Sequence, residues 1–256
     1  MPDKPPAPIP PWKLFLDVEG QDAGHYQDYA NLPLLDVIEG VPKRVLELGC
    51  SSGTFGMKLM ERFPGAHVVG VEPGRAAAHV AAGRLERVIA KRLENVDFAA
   101  DGFTAGEFDT VIAADVLEHV VNPWDVLVRV KPLIAPGGQL VASIPNVRNL
   151  WLLSEALLKG RWTYEERGLL DVTHIRFFTL EEIRRMLEQT GYRMEGFAGT
   201  ISPRLADVWR QNSSQEKVTL ELGRMSLKDV TRQELMELCC EQFLVRARPV
   251  AEAARP

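Results

Sequence analysis

The sequence predicts an α/β domain in which a parallel sheet is crossed by helices. Three observations carry that expectation. From Arg44 onward, short apolar β-branched runs alternate with longer segments of helical periodicity. Glycines cluster where the first run gives way to the first helical segment. Acidic residues end the first two runs, the edge of a doubly wound sheet at which ligands bind.

The elements follow in order. Residues 1–16 form a flexible leader, six of whose first eleven residues are proline. Residues 17–43 read as a helical N-terminal extension, with a short helix over Leu32–Ile38. Strands are expected at Arg44–Leu48, His67–Val71, Arg87–Ala90, Thr110–Ala113 and Gln139–Ser143, with helices at Phe55–Arg62, Arg75–Gly83 and Trp124–Val130 between them. Pro136-Gly137-Gly138 reads as a turn leading into the fifth strand. A helix over Leu180–Thr190 has Thr179 as N-cap, Glu182 at the capping-box position and Gly191 beyond its end. Tyr192–Phe197 and Gln242–Arg246 read as further strands, and Ile201–Cys240 as a partly helical stretch with Cys239 and Cys240 in its last helix. The main domain spans 44–248, and 249–256 is a tail.

Composition narrows the function. Of 256 residues, 46% are hydrophobic and 25% charged, which excludes a mainly disordered chain. A net charge of −5 argues against a dedicated nucleic-acid binder, which needs a basic excess. The three cysteines, Cys50, Cys239 and Cys240, give neither a disulfide framework nor a Cys/His metal spacing, so no metal is expected. No apolar stretch reaches the ~18 residues of a spanning helix, and no secretory leader is evident, so the expectation is a cytoplasmic protein without stable membrane insertion.

The glycine-rich segment Val45-Leu46-Glu47-Leu48-Gly49-Cys50-Ser51-Ser52-Gly53-Thr54-Phe55-Gly56 sits where the first strand turns into the first helix. Such a loop lets a backbone approach a ligand and presents unpaired N–H groups. Dinucleotides, mononucleotides and sulfonium compounds all use one. Glu47 discriminates among them, because its carboxylate would repel a pyrophosphate and attract a cationic methionine-type head. Val69-Gly70-Val71-Glu72-Pro73-Gly74 ends a strand in an acid whose two oxygens match the two donors of a ribose diol. Either acid alone reads equally well as a solvated strand end; together, around this loop, they read as a site. Phe108–Val120 follows as the fourth strand running into the cleft, and Leu133–Val141 as a helix end, a turn and the fifth strand.

These four segments, in this order and spacing, resemble the class I S-adenosylmethionine-dependent methyltransferases. "FDTVIAADVLEHVVNPW" with "APGGQLVASIPNVRN" is similar to the small-molecule subgroup that includes the ubiquinone-pathway O-methyltransferases. Gly168–Tyr192 extends the match towards bacterial members associated with surface polysaccharides. The resemblance implies a doubly wound, Rossmann-like, seven-stranded and mostly parallel sheet with an antiparallel last strand and helices on both faces. It also implies S-adenosylmethionine as cofactor, with Glu47, Gly49, Cys50, Ser51 and Gly53 at the methionine end. Glu72 and Pro73 would sit at the ribose, Arg92 and Leu93 at the adenine, and Ala114, Asp115 and Val116 along the wall. Two positions depart from the family pattern. Ser51 stands where a second glycine is usual, and Lys91-Arg92 where an acid often meets the adenine amine.

Methyl transfer to a hydroxyl needs alignment, exclusion of water and commonly a base. His119, after the cleft strand, is one candidate, although packing against the cofactor loop is its plainer reading. His174 with Asp171, three residues apart, is either a base with its orienting acid or a brace within a loop. Residues 149–179 form an expected acceptor-side cap in which Trp151 and Trp162, with Tyr26 and Tyr29 before the first strand, could floor an acceptor pocket; the alternatives are a helix completing the core for the tryptophans and interface packing for the tyrosines. The expected partners are a small-molecule or carbohydrate substrate and no nucleic acid, with the chain a monomer or homodimer. Two other classes remain: a non-catalytic binding or scaffold module on this fold, and a nicotinamide-dependent oxidoreductase. Glu47 and glycines at 49, 53 and 56, off the G-x-G-x-x-G spacing, argue against the second.

Overall fold

A computed structural model describes residues 30–250. The leader, Tyr26, Tyr29 and the end of the tail lie outside the described residues. After a 3-10 helix at Leu32–Val37, the chain runs through β1 (Arg44–Leu48), α1 (Thr54–Arg62), β2 (His67–Val71), α2 (Arg75–Ala82) and β3 (Arg87–Ile89). There follow β4 (Phe108–Ala114), α3 (Pro123–Val130), β5 (Ile134–Pro145), α4 (Leu150–Lys159), α5 (Leu180–Gln189) and β6 (Tyr192–Ile201). The last part holds α6 (Ala206–Asn212), β7 (Lys217–Leu222), β8 (Met225–Thr231), α7 (Arg232–Cys239) and β9 (Cys240–Pro249).

Seven strands form one sheet in the order β3-β2-β1-β4-β5-β9-β6. β1 pairs in parallel with β2 and β4, β2 with β3, and β4 with β5. β9 runs antiparallel to β5 on one side and to β6 on the other. This is the doubly wound, mostly parallel sheet with one reversed strand that the sequence resemblance implies. Burial explains why the central strands read as unbroken apolar runs. Val111 and Ala113 of β4 pack into one core cluster while Ile112 between them packs into another. Along β5, Leu140, Ala142 and Ile144 face the first cluster and Val141 the second. Side chains of a strand alternate sides, so both faces of the sheet are covered.

Three local expectations change. Pro136-Gly137-Gly138 is a bulge inside β5, exposed at Pro136 and Gly137, where the register to β4 slips between Phe108↔Ile134 and Thr110↔Gln139. Thr179 does cap α5, accepting from the Glu182 N–H at 3.3 Å, but Glu182 pairs with Arg185 rather than reaching back to close a box. Ile201–Cys240 is not merely helical. It holds the two-stranded sheet β7–β8, turned through Gly223 at φ +61°, between α6 and α7. Val218, Leu220 and Val230 of this hairpin pack with Leu205, Leu235 and Leu238, a small core of its own beside Leu150. The alternation of Lys217–Leu222 was the signal for it. A full capping box, Thr231 with Glu234, starts α7. Cys239 ends α7, while Cys240 already belongs to β9. Both are buried and their thiols are pushed up by burial, to about 11 and about 12.

Candidate functional site

The carboxyl ends of β1, β2 and β4 open into a cavity of about 260 Å³. Short, buried β-branched strands bring the chain to this edge, and the turn after each strand is where backbone and polar groups become available. Of the residues expected to hold a cofactor, all but Gly53 line the cavity. Gly53 instead precedes α1 at φ +79°, where a Cβ would come within 3.2 Å of Ala81 Cα on α2. It packs the loop rather than facing the cavity.

Gly49 has φ +64°, and a Cβ there would lie 2.6 Å from Val116 Cγ2. Only glycine allows the loop to pass so close to the wall formed after β4. The next turn carries the departure noted in the sequence. Ser51 adopts φ +46°, left-handed backbone that favours glycine. Its N–H donates to Glu72 Oε2 at 2.8 Å, and the Gly74 N–H donates to Glu72 Oε1 at 2.7 Å. Two backbone donors thus fix the Glu72 carboxylate at the lip of the cavity, although burial raises its pKa above the usual carboxylate range.

Glu47 is more deeply placed. Burial pushes its pKa up to about 8, opposed by a hydrogen bond from the Gly56 backbone, and Oε2 has no partner. Gly56 admits it, because a Cβ there would lie 2.6 Å from that oxygen. An unpartnered buried acceptor at a cavity wall costs about 1–3 kcal/mol, so the fold holds it ready for a donor from the cavity. Cys50 is buried beside it, its thiol pushed up by burial and by the two acids. At the far end Arg92 and Leu93 line the cavity together with Glu94, a carboxylate two residues beyond the Lys91-Arg92 pair that the sequence reading passed over. Arg129 pins this turn through the carbonyls of Leu93 and Val96, at 2.6 and 2.8 Å.

The opposite wall is built from distant parts of the chain. Asp115, at φ +55°, receives the Ser143 hydroxyl at 2.7 Å and the Gln242 amide at 2.9 Å on Oδ1, and the Asn31 amide at 3.4 Å on Oδ2. Burial raises its pKa and these donors oppose the rise. Asn31 also donates to Gln242 at 2.9 Å, so the N-terminal segment, β4, β5 and β9 meet at one carboxylate. Sequence reasoning found Asp115 but none of its partners, which lie up to 127 residues away.

His119 lines the cavity, and Thr173 reaches it from the loop before α5. Asp171 does not orient His174, as the sequence spacing suggested. Its Oδ1 accepts the Thr173 N–H at 2.8 Å and hydroxyl at 2.6 Å, and Thr173 Oγ1 lies 3.0 Å from His119 Nδ1. His174 turns Nδ1 to the Leu169 carbonyl at 3.3 Å, and its ring meets the edge of His119 at 4.7 Å. Beneath both rings lies Glu118, 1% exposed, with neither carboxylate oxygen hydrogen-bonded. Its backbone carbonyl accepts from Ile175 and Arg176 at 3.0 Å each, which holds the loop over the cleft. Glu118, His119 and His174 bring ligand-type atoms within 4.8 Å of one another, a spacing that a cation could bridge. Burial raises the Glu118 pKa well above the carboxylate range and lowers both imidazoles, His174 to about 4. The uncharged forms are therefore favoured.

Trp151 and Trp162 are not brought to the cavity. Trp151 is half-buried with the Arg204 guanidinium 3.7 Å over its ring, and Trp162 meets Phe177 edge-on at 5.7 Å on the surface. The helix that carries Trp151 stops at Lys159, where Gly160 takes φ +64°, so Trp162 lies beyond it.

A parallel sheet with one reversed strand, a glycine-rich first turn and acids at the ends of β1 and β2 defines a class of nucleoside-binding α/β enzyme. A family model for the methyltransferase domain matches residues 24–195. The chain belongs to this family and is an S-adenosylmethionine-dependent methyltransferase. It is 31% identical over 173 residues to a ubiquinone biosynthesis O-methyltransferase of Aromatoleum aromaticum, covering 65% of this chain and 71% of that one. To the protein of the same name in Rhodopseudomonas palustris it is 28% identical over 204 residues, 77% and 75% of the two chains. Across such relatives the matched part is 62 to 76% of their length. Solved structures share the fold. A Thermotoga maritima methyltransferase superposes with TM-score 0.55 at 17% identity, over 85% of this chain and 86% of that one. A Burkholderia thailandensis 1,6-didemethyltoxoflavin-N1-methyltransferase with bound S-adenosylhomocysteine superposes with TM-score 0.53 at 16% identity, over 86% and 79%.

Proposed function

We propose that the protein methylates a hydroxyl oxygen of a small molecule, of phenol or sugar type, held between the β1 and β2 turns and the His119–Thr173 wall. The observation that carries this reading is the position of His119, a half-buried imidazole that lines the same cavity as Glu47 and Glu72. The names of its relatives, ubiquinone biosynthesis O-methyltransferases, support an oxygen acceptor.

The cavity fits S-adenosylmethionine. The unpartnered Oε2 of Glu47 suits a methionine ammonium, the fixed carboxylate of Glu72 suits a ribose diol, and Glu94 offers the acceptor for an adenine amine that Lys91 and Arg92 lack. When bound, that molecule supplies a methyl group on a cationic sulfur. The chain's own task is to hold the acceptor oxygen in line with it, keep water out and take up a proton. Gly49, Cys50, Ser51 and Pro73 contribute close backbone, and Ala114, Asp115 and Val116 the opposite wall. His119 takes the proton, with burial keeping the imidazole neutral beforehand. No metal is needed in this scheme. A cytoplasmic monomer or homodimer is part of the same proposal. No helix among the described residues is long and apolar enough to cross a membrane.

The test is calorimetric titration with S-adenosylhomocysteine, with NADH as control, followed by labelled-methyl transfer to a panel of phenols, sugars and carboxylates. Binding of S-adenosylhomocysteine alone and turnover of a hydroxyl compound are the expected results. Turnover only of amines would overturn the oxygen assignment, and turnover only of carboxylates would overturn the hydroxyl one.

A further inference from the structure

We infer that Thr173 and Asp171 are positioning residues that fix His119 in one tautomer, with the proton on Nδ1 and a bare lone pair on Nε2. The inference rests on the reading of His119 as the base. The hydrogen-bond directions leave no other assignment. Asp171, 4% exposed, offers Oδ1 to both the backbone N–H and the hydroxyl of Thr173, at 2.8 and 2.6 Å. A carboxylate only accepts, so the single hydroxyl proton of Thr173 is committed to it. Thr173 Oγ1, 3.0 Å from His119 Nδ1, therefore has only lone pairs to show the ring. The other partner of Nδ1, the Thr173 carbonyl at 3.2 Å, is an acceptor as well. Both contacts require an N–H at Nδ1, and a neutral imidazole then has none at Nε2.

The consequence is directional. When an acceptor oxygen gains the methyl group, it sheds its proton to Nε2, and the positive charge brought in on sulfur leaves on the imidazolium. That cation keeps its Nδ1–H bond to Thr173, whose hydroxyl stays bonded to the Asp171 carboxylate. The ring also faces Asp115 at the end of β4, Glu118 on its own turn and His174 on the loop. The charges of Asp171 and Asp115 favour the imidazolium, while burial opposes it. The site thus starts neutral and is prepared for the cation that forms. Thr173 is 54 residues from His119, and its spacing carries no sequence signal.

Long-range proton–nitrogen correlation spectra of the 15N-labelled protein bound to S-adenosylhomocysteine test this directly, with His119 assigned from the signals lost in His119→Gln. Wild type is expected to show a pyrrole-type Nδ1 and a pyridine-type Nε2. Thr173→Val keeps the side-chain shape and should shift His119 towards the Nε2–H form. Thr173→Ser should restore the wild-type pattern. An Nε2–H form in wild type, or an unchanged spectrum in Thr173→Val, would overturn the inference, and the wild-type spectrum decides even if the valine variant does not fold. An Nε2 signal that moves when Mg2+ or Zn2+ is added would overturn it too, because the lone pair would then serve a cation. Failure to bind S-adenosylhomocysteine at all would instead tell against the methyl-transfer reading.

Discussion

The two walls of the cavity are assembled by different physics. On the wall made by the β1 and β2 turns, each key residue sits at a strand end and is fixed by backbone: Glu72 by the N–H groups of Gly74 and of Ser51, 21 residues away in the neighbouring turn, and the loop by the positive φ of Gly49. On the wall after β4, Asp115 gathers Asn31, Ser143 and Gln242, and His119 gathers Thr173 and Asp171, from segments far apart in the chain. The first wall rests on the backbone geometry of two neighbouring turns. The second exists only once β9 has been inserted between β5 and β6 and the loop before α5 has settled on Glu118.

This contrast can be broken most sharply at Gly49. Gly49→Ala combines left-handed strain with a 2.6 Å approach to the stiff Val116 side chain, and should destabilise the fold by about 2–4 kcal/mol, seen as a lower denaturation midpoint. Next comes Glu72→Ala, which removes the fixed carboxylate and should weaken S-adenosylhomocysteine binding by about 1–3 kcal/mol, roughly 5- to 150-fold, in calorimetry. Unchanged affinity in a folded variant would remove Glu72 from the site.

A smaller effect should appear in the pH dependence. The folded pKa of Glu47, about 8, lies above the usual carboxylate value, so the protonated form is the one the fold prefers. Its contribution to stability is complete below the unfolded pKa near 4.5 and is lost as pH rises towards 8. An ammonium group in the cavity prefers the ionised form. Binding of S-adenosylhomocysteine should therefore release a proton and weaken by up to about tenfold per pH unit as pH falls below 8. Calorimetry in two buffers of different ionisation heat measures the release, and Glu47→Gln should abolish it. The smallest effect is at Ser51. Ser51→Gly relieves the φ of +46° and should be neutral or stabilising by up to about 1 kcal/mol, with affinity retained, because the contact to Glu72 is made by backbone. A large loss of affinity there would mean that the hydroxyl itself binds.

Much of the fold was legible because parallel strands buried on both faces leave apolar runs, as in Val68–Val71 of β2 and Val111–Ala114 of β4. The hairpin β7–β8 was legible too, in the alternation of Lys217–Leu222 and in Gly223, but the strands are short and half-exposed, and its helical surroundings masked them. Trp151 and Trp162 misled in the opposite direction. Aromatic residues near a cleft strand suggest a pocket floor, and both instead pack away from it, Trp151 under Arg204 and Trp162 against Phe177.

The sequence by itself determined the class of fold and marked Glu47, Gly49 and Glu72, which line one cavity, because each belongs to a strand end or the turn that follows it. Only the tertiary structure decided which groups face one another across the cleft. Asp171 serves His119 through Thr173 rather than His174, Glu118 lies buried beneath both rings, and Asn31 and Gln242 share Asp115. The physical reason is that hydrogen bonds are satisfied by whatever donors and acceptors packing brings within about 3 Å, and that proximity is set by the register of the sheet and the path of the loops rather than by separation along the chain.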